Sequence, residues 1–222
     1  MKWTFKRDIF ALSMVLVYII AAWYFYNILP DTVASHFNSR GIPDDYSSKS
    51  AILIIGFVIT VGTYLLLTFI PFIDPFWKKI EKKYDIFLLF RDLALAFIVF
   101  IFIVSFESSK EGSFRNDLFG IVFGLLFIVL GNYLPKLPRN FFFGIRSPWT
   151  LASETVWYKT HRMAGGWFVT AGIILIILAL LKINTFVSMM VVLIPLVIYT
   201  AFIYPLMLYK KLQKQGEIKS EL

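Results

Sequence analysis

The chain has 222 residues, of which 59% are hydrophobic and 16% are charged, and its formal net charge at pH 7 is +8. A soluble domain averages about 45–50% apolar and about 25% charged residues, so this composition predicts a membrane protein. Cysteine is absent, which excludes disulfides, thiolate metal ligands and a cysteine nucleophile.

Six apolar segments follow one another along the chain, at residues 9–29, 51–73, 86–106, 118–134, 167–181 and 185–208. A helix needs about 20 apolar residues to cross a hydrocarbon core of about 30 Å. Four segments meet that length, and the two shorter ones can extend into their flanks. Residues 182–184 leave only a tight turn between the last two segments. The sequence therefore predicts an all-α polytopic membrane protein with six transmembrane helices.

The basic side chains indicate how the helices are oriented. Sixteen of the 22 Lys and Arg residues lie in the N-terminal segment, the second and fourth loops and the C-terminal tail, whereas the other three loops contain five. Because cytoplasmic loops are enriched in Lys and Arg, both termini are predicted to be cytoplasmic. These basic residues are divided among four short pieces without a recognition module, so no direct nucleic-acid partner is expected.

The first outward loop, residues 30–50, is polar and contains turn-forming residues. Its candidate ligand-facing residues are His36, Arg40, Gly41, Asp44, Asp45 and Tyr46. The competing interpretation is an ordered connector whose polar side chains cap helices and meet water. One histidine and two adjacent aspartates can share a cation, but this pattern is a weak signal, and no metal site is predicted.

The fourth loop, residues 131–166, has a density of polar, aromatic and charged residues found nowhere else in the chain. Pro135 and Pro138 cannot continue a regular helix, so the fourth span is predicted to end near Leu134. Thr150 or Ser153 can cap a short helix that reaches His161 or beyond.

On that helix, Glu154, Trp157 and His161 share one face, while Lys159 and Arg162 point elsewhere. One interpretation is an interfacial amphipathic helix whose basic residues hold anionic lipid. Another is an acid/base pair formed by Glu154 and His161. No nucleophile elbow, phosphate loop or HExxH pattern accompanies that pair, so an enzyme is not predicted.

A small transporter, or an intramembrane enzyme acting on a lipid or peptide, is the alternative function. Several polar residues lie at membrane depth or at span edges: Asn27, Arg91, Asp92, Glu107, Asn116, Asp117 and Asn132. A buried polar cavity joining Arg91, Asn132 and Arg146 would favour this alternative. The simpler expectation is that Arg91 and Asp92 extend to the cytoplasmic interface.

Two stretches of the chain carry a family resemblance. The run GIRSPWT at residues 144–150, followed by ETVW at 154–157 and THR at 160–162, resembles the signature of the SdpI family of bacterial membrane proteins. The loop at residues 29–49 is similar to that of an uncharacterised N-terminal domain that often accompanies the signature. Two domains are accordingly predicted, an N-terminal membrane domain at 1–110 and an SdpI-like membrane domain at 111–222.

The resemblance implies a multi-pass protein of the bacterial plasma membrane, without a cofactor, that gives immunity to a secreted peptide toxin. It also implies a receptor that holds a small transcriptional repressor at the membrane when toxin is present. The expected partners are membrane lipid, the toxin outside and the repressor inside. The predicted cytoplasmic partner-binding residues are Asn140, Gly144, Arg146, Pro148, Trp149, Thr150, Glu154, Trp157, His161 and Arg162.

Overall fold

The structure is a computed structural model that describes residues 4–217; Lys2 and Lys219, two of the basic residues counted for orientation, lie outside this range. Helices account for most of the described chain, in the order α1 (Phe5–Ile28), α2 (Lys49–Ile73), α3 (Trp77–Glu81), α4 (Tyr84–Glu111), α5 (Asn116–Tyr133), α6 (Pro148–Ala152), α7 (Glu154–Leu180), α8 (Thr185–Val197) and α9 (Tyr204–Lys214). Two strands, β1 (Thr32–Phe37) and β2 (Pro43–Ser48), join α1 to α2.

Six helices among the described residues are long and apolar enough to cross a membrane. They are α1, α2, α4, α5 with its following turn, α7, and the continuous run Thr185–Lys214, in which a π-helical segment (Ile198–Ile203) joins α8 to α9. The six-span prediction is therefore confirmed. An even number of spans also leaves both described ends of the chain on the same side.

The prolines end the fourth span where the sequence predicts. Helix α5 stops at Tyr133, and a 3-10 turn at Leu134–Lys136 follows it. Ser153 caps α7 by accepting a hydrogen bond from the backbone N–H of Val156, as proposed for the short helix. That helix is not short, however. It runs unbroken to Leu180, because no proline interrupts residues 154–180. One continuous helix therefore carries both the fifth span and the end of residues 131–166, the predicted cytoplasmic segment that is called the motif segment below.

The outer loop is a β-hairpin rather than an irregular connector. β1 and β2 pair antiparallel from Thr32–Ser48 to Phe37–Pro43, with an irregularity around His36. The tip of the hairpin is fastened to the helices by two hydrogen bonds. The backbone N–H of Phe114 donates to the carbonyl oxygen of Gly41 at 2.8 Å, and Asn184 Nδ2 donates to the carbonyl oxygen of Ser39 at 2.9 Å.

Helices α5 and α7 form the tightest helix pair, because glycines face each other along both. A Cβ built on Gly124 would lie 2.6 Å from the carbonyl oxygen of Gly172, and one built on Gly131 would lie 2.6 Å from that of Gly165. Small residues let helix backbones approach closely in a membrane, where van der Waals packing drives helix association. The α5–α7 pair therefore holds the motif segment between two helices in backbone contact.

A buried ionic cluster fastens α1, α2 and α4 together near the ends that are predicted to be cytoplasmic. The side chain of Arg91 is fully buried, and its Nη1 donates to Asp8 Oδ1 at 2.7 Å and to Thr68 Oγ1 at 3.1 Å. Its Nε donates to Asp92 Oδ1 at 2.9 Å, and the Tyr64 hydroxyl donates to Asp8 at 2.7 Å. The expectation that Arg91 extends to the interface is therefore wrong, since its guanidinium is held inside by these acceptors.

The orientation derived from charge can be tested with a matched pair of arginines, because the chain contains no cysteine. Arg40 and Arg146 are both exposed, one on the hairpin and one in the motif segment. We expect Arg40→Cys to react with a membrane-impermeant maleimide in intact cells and Arg146→Cys to react only after permeabilisation, as the basic-residue bias requires. The opposite labelling pattern would show that the predicted orientation is wrong.

Candidate functional site

Asn140 shapes the start of the motif segment. Its side chain is fully buried, and its Oδ1 accepts from the backbone N–H groups of Phe142 and Phe143 at 2.9 and 2.6 Å. Its Nδ2 donates to the carbonyl oxygens of Pro138 and Phe143 at 3.0 and 3.1 Å. Both ends of the amide are thus used to fold the three consecutive phenylalanines into a compact turn.

His161 fastens this turn to α7. Its Nε2 accepts the backbone N–H of Ile145 at 3.0 Å, and its Nδ1 lies 2.8 Å from the carbonyl oxygen of Trp157. A carbonyl oxygen can only accept, so Nδ1 carries the proton and Nε2 does not. The ring also stacks on Trp157, with centroids 4.1 Å apart, and the indole N–H of Trp157 donates to Leu137 at 3.0 Å. His161 is therefore a neutral structural link.

Ser147 and Thr150 form a capping box that begins α6. Thr150 Oγ1 accepts the backbone N–H of Ser147 at 2.9 Å and lies 2.8 Å from the carbonyl oxygen of Ile145, to which it donates. Pro148 occupies the first turn of α6, where its missing N–H costs nothing. This arrangement explains why a helix begins at Pro148.

Asp74 also holds the motif segment in place, although its sequence context does not indicate this role. It is buried at the end of α2, where Oδ1 accepts the backbone N–H of Phe76 at 2.7 Å and Oδ2 accepts that of Phe141 at 2.8 Å. An aspartate before a proline signals a turn, but its contact with Phe141 spans 67 residues. A second link joins α3 to the motif, since Lys79 forms an ion pair with Glu154.

The predicted cytoplasmic site residues divide into two groups. Asn140, Thr150, Trp157 and His161 are buried, and Trp149 is half-buried, so these side chains organise the segment from within. Exposed residues are Gly144, Arg146, Pro148, Glu154 and Arg162. Glu154 and His161 have different partners and do not form an acid/base pair. A partner-binding role for the exposed group stays a prediction.

Gly144→Ala should destabilise the motif segment. Gly144 has φ +93°, and a Cβ there would lie 2.5 Å from His161 Nε2, the atom that accepts from Ile145. We expect a loss of about 1–2 kcal/mol from the backbone conformation. A further loss of about 1–3 kcal/mol should follow if the buried N–H of Ile145 is left without its acceptor.

Gly112→Ala is the control for this prediction, measured by thermal unfolding in detergent. Gly112 also has positive φ (+72°), but a Cβ there meets no described heavy atom within 4 Å. It should show the backbone cost alone. Equal effects of the two substitutions would contradict the role given to His161.

The outer hairpin brings together some of its predicted residues and separates others. His36 Nδ1 lies 2.6 Å from Asp44 Oδ1, while Asp45 accepts the backbone N–H of Tyr46. Gly41 is buried against Asn116 with φ +77°, which explains the glycine at this turn. The side chains of Arg40, Asp45 and Tyr46 are exposed. A ligand-binding role for this loop stays a prediction.

A groove of about 880 Å³ lies beneath the hairpin, between α2 and α4 on one side and α5 and α8 on the other. None of Arg91, Asn132 and Arg146 lines it. Asn132 donates to the carbonyl oxygen of Ile128 on its own helix, and Arg146 donates to that of Phe141. Arg91, by contrast, is held in the buried cluster with Asp8 and Thr68, so the three residues have separate partners.

Comparisons with known proteins find two family models and one curated relative. Residues 136–208 match the SdpI/YfhL protein family, and residues 13–60 match a domain of unknown function, DUF1648. The chain is 24% identical over 210 residues to the Immunity protein SdpI of Bacillus subtilis (strain 168). This alignment covers 93% of the chain and 98% of that protein. No solved structure matches the chain. With six membrane-spanning helices and this similarity along nearly its whole length, the chain is a multi-pass bacterial membrane protein that is similar to the SdpI/YfhL protein family.

Proposed function

We propose that this chain is an immunity protein that protects its cell from a secreted peptide toxin acting on the membrane. The observation that carries the proposal is the alignment with the Bacillus subtilis immunity protein, which extends over 93% of the chain and is not confined to one motif. The hairpin supports it, because an ordered element on the predicted outer side stands where a secreted toxin arrives.

Protection by binding fits the motif better than protection by catalysis. Both ring nitrogens of His161 contact backbone groups, and Glu154 is paired with Lys79. A general acid or base must reach the proton that it transfers, directly or through one water. These two side chains are instead engaged in holding the segment together, so we assign the chain a non-enzymatic role.

The immunity proposal is tested by expressing the chain in a toxin-sensitive host. Candidate toxins are secreted peptides encoded beside the gene or beside genes of its relatives. Cells that make the full chain should survive a toxin that kills cells carrying the empty vector. Unchanged killing by every candidate toxin, with the chain present in the membrane, would refute the proposal.

We further propose that the cytoplasmic segment holds a small transcriptional repressor when toxin is bound outside. Helix α7 supports such a connection, since it begins in the motif and ends at the turn that leads to Asn184, the residue bonded to the hairpin. Ligand binding can change the inner surface only if it favours one of two conformations. A helix that begins in the motif segment and is followed within four residues by the hairpin contact at Asn184 supplies a physical link between the two surfaces.

Arg146→Ala and Arg162→Ala are expected to weaken capture of the repressor. Both side chains are exposed on the cytoplasmic segment, so their loss removes charge without emptying the interior. An interface arginine that contributes about 1.4 kcal/mol would lower affinity about tenfold. The measurement is co-sedimentation of a candidate repressor with membranes. Trp157→Ala is unsuitable, because this indole is fully buried.

Lys210→Ala is the control for capture. Lys210 is also exposed and basic, but it lies on α9 outside the motif segment. Its substitution should leave capture unchanged. Equal loss of capture in all three variants would indicate nonspecific attraction to the basic membrane face. Normal capture by the two arginine variants would show that the motif segment does not bind the repressor.

A further inference from the structure

The groove beneath the hairpin has the depth of one membrane leaflet. Ile55 on α2 and Ile101 on α4 line it, six and ten residues from the outer ends of their helices. At a rise of about 1.5 Å per residue these positions lie about 9 and 15 Å below the helix ends. One leaflet of a hydrocarbon core of about 30 Å is about 15 Å deep. The groove therefore runs from the membrane surface toward the midplane.

Polarity changes along the groove. Its deeper walls are apolar and include Ile52, Ile55, Ile101, Phe102, Phe119 and Met189. Its outer end is formed by hairpin residues 34–39 together with Asp44 and Asn116, which supply polar side chains. A ligand with one polar end and one long apolar part matches this gradient. A fully polar solute or a purely apolar one matches only one end.

The groove is open to the lipid on its lateral side. The hairpin lies across the outer end, where the carbonyl oxygens of Ser39 and Gly41 are bonded to Asn184 and Phe114. On the lateral side, Phe186 lines the groove and is 54% exposed on the helix surface. A flexible chain already dissolved in the bilayer can enter sideways.

The charge at the outer end selects a headgroup. Asp44 is the one carboxylate among the residues that line the groove, and it lies 2.6 Å from His36 Nδ1. An ammonium group complements this carboxylate. We propose that the groove binds one phospholipid from the hairpin-side leaflet, with an acyl chain between α4 and α8 and an ammonium-bearing headgroup at Asp44. This proposal does not depend on the immunity function.

Photo-crosslinking of the full chain in lipid nanodiscs tests the acyl-chain site. The probe is a phosphatidylethanolamine with a diazirine on one acyl chain. Crosslinks should concentrate at residues 101–105 and 185–189. Met189→Trp places an indole in the groove and should remove most of these crosslinks. Met190→Trp, on the exposed neighbouring position that does not line the groove, should leave them unchanged. Crosslinks spread evenly over the helices, or equal effects of the two variants, would overturn the site.

A second comparison tests the headgroup. A phosphatidylglycerol carrying the same photoreactive chain should crosslink less efficiently, by up to about fivefold, the upper range for one partly exposed ion pair. Asp44→Asn should abolish this difference, while Asp45→Asn, outside the groove lining, should preserve it. No difference between the lipids in the unaltered chain would overturn the headgroup assignment. A peptide rather than a phospholipid bound one to one, seen by native mass spectrometry, would overturn the lipid proposal.

Discussion

Gly172→Val is expected to force α5 and α7 apart and to lower the free energy of unfolding by about 3 kcal/mol, the upper range for overpacking a well-packed interior. A Cβ at Gly172 would collide with the carbonyl oxygen of Gly124 and would lie 3.0 Å from the backbone nitrogen of Ile128. Because the obstacle is backbone rather than a flexible side chain, no rotamer change relieves it. The helices themselves must move, and Gly131 and Gly165 would lose their contact as well.

Gly166→Val is the matched control on the same helix. Gly166 is exposed, and a Cβ there meets no heavy atom within 4 Å in the described part of the chain. Both variants exchange glycine for the same β-branched residue, so helix propensity cancels. Thermal unfolding in detergent should show a clear loss of Tm for Gly172→Val and little change for Gly166→Val. Similar values for both would mean that the α5–α7 contact does not limit stability.

Arg91→Leu should be at least as damaging, with an expected loss of about 3–5 kcal/mol, because removing one partner of a buried ion pair leaves uncompensated charge. The Arg91 guanidinium donates hydrogen bonds to the carboxylates of Asp8 and Asp92, at 2.7 and 2.9 Å. The cluster connects α1, α2 and α4, so its loss should loosen all three. Arg91→Lys keeps the charge but cannot reproduce the set of donors, and it should restore only part of the stability.

Arg115→Leu is the control for the ionic cluster. Arg115 pairs with Asp117 at 3.4 Å, but both side chains are about half exposed. Exposed pairs contribute about 0–1 kcal/mol, so this substitution should have a small effect on unfolding. If Arg91→Leu unfolds no more readily than Arg115→Leu, the buried cluster does not hold the N-terminal helices together.

The sequence predicts the membrane-spanning helices well because each depends on a local property. Long apolar runs mark the six spans, prolines mark the end of α5, and residues 182–184 mark the turn before α8. It does not predict the hairpin. β2 is the polar sequence PDDYSS, which has little strand signal of its own, and its place depends on contacts of the hairpin with Phe114 and Asn184.

The sequence locates the candidate site but does not reveal which of its residues are buried and which are exposed. His161 and Trp157 are polar or amphipathic residues in a polar segment, a pattern that suggests exposure. Their burial depends on Ile145 and Leu137, which are 16 and 20 residues away. Asp8 and Arg91 are 83 residues apart, so nothing local in the sequence reveals their pairing. Long-range hydrogen bonds, rather than composition, decide these positions.

The immunity function is tested most directly by measuring the toxin concentration that kills half of a sensitive culture. Cells expressing the unaltered chain or Gly166→Val should need more toxin than vector cells. Cells expressing Gly172→Val, with a comparable amount of protein in the membrane, should die at or near the vector concentration. A killing concentration that is the same for vector and unaltered chain, for every candidate toxin, would contradict the assignment of this chain as an immunity protein.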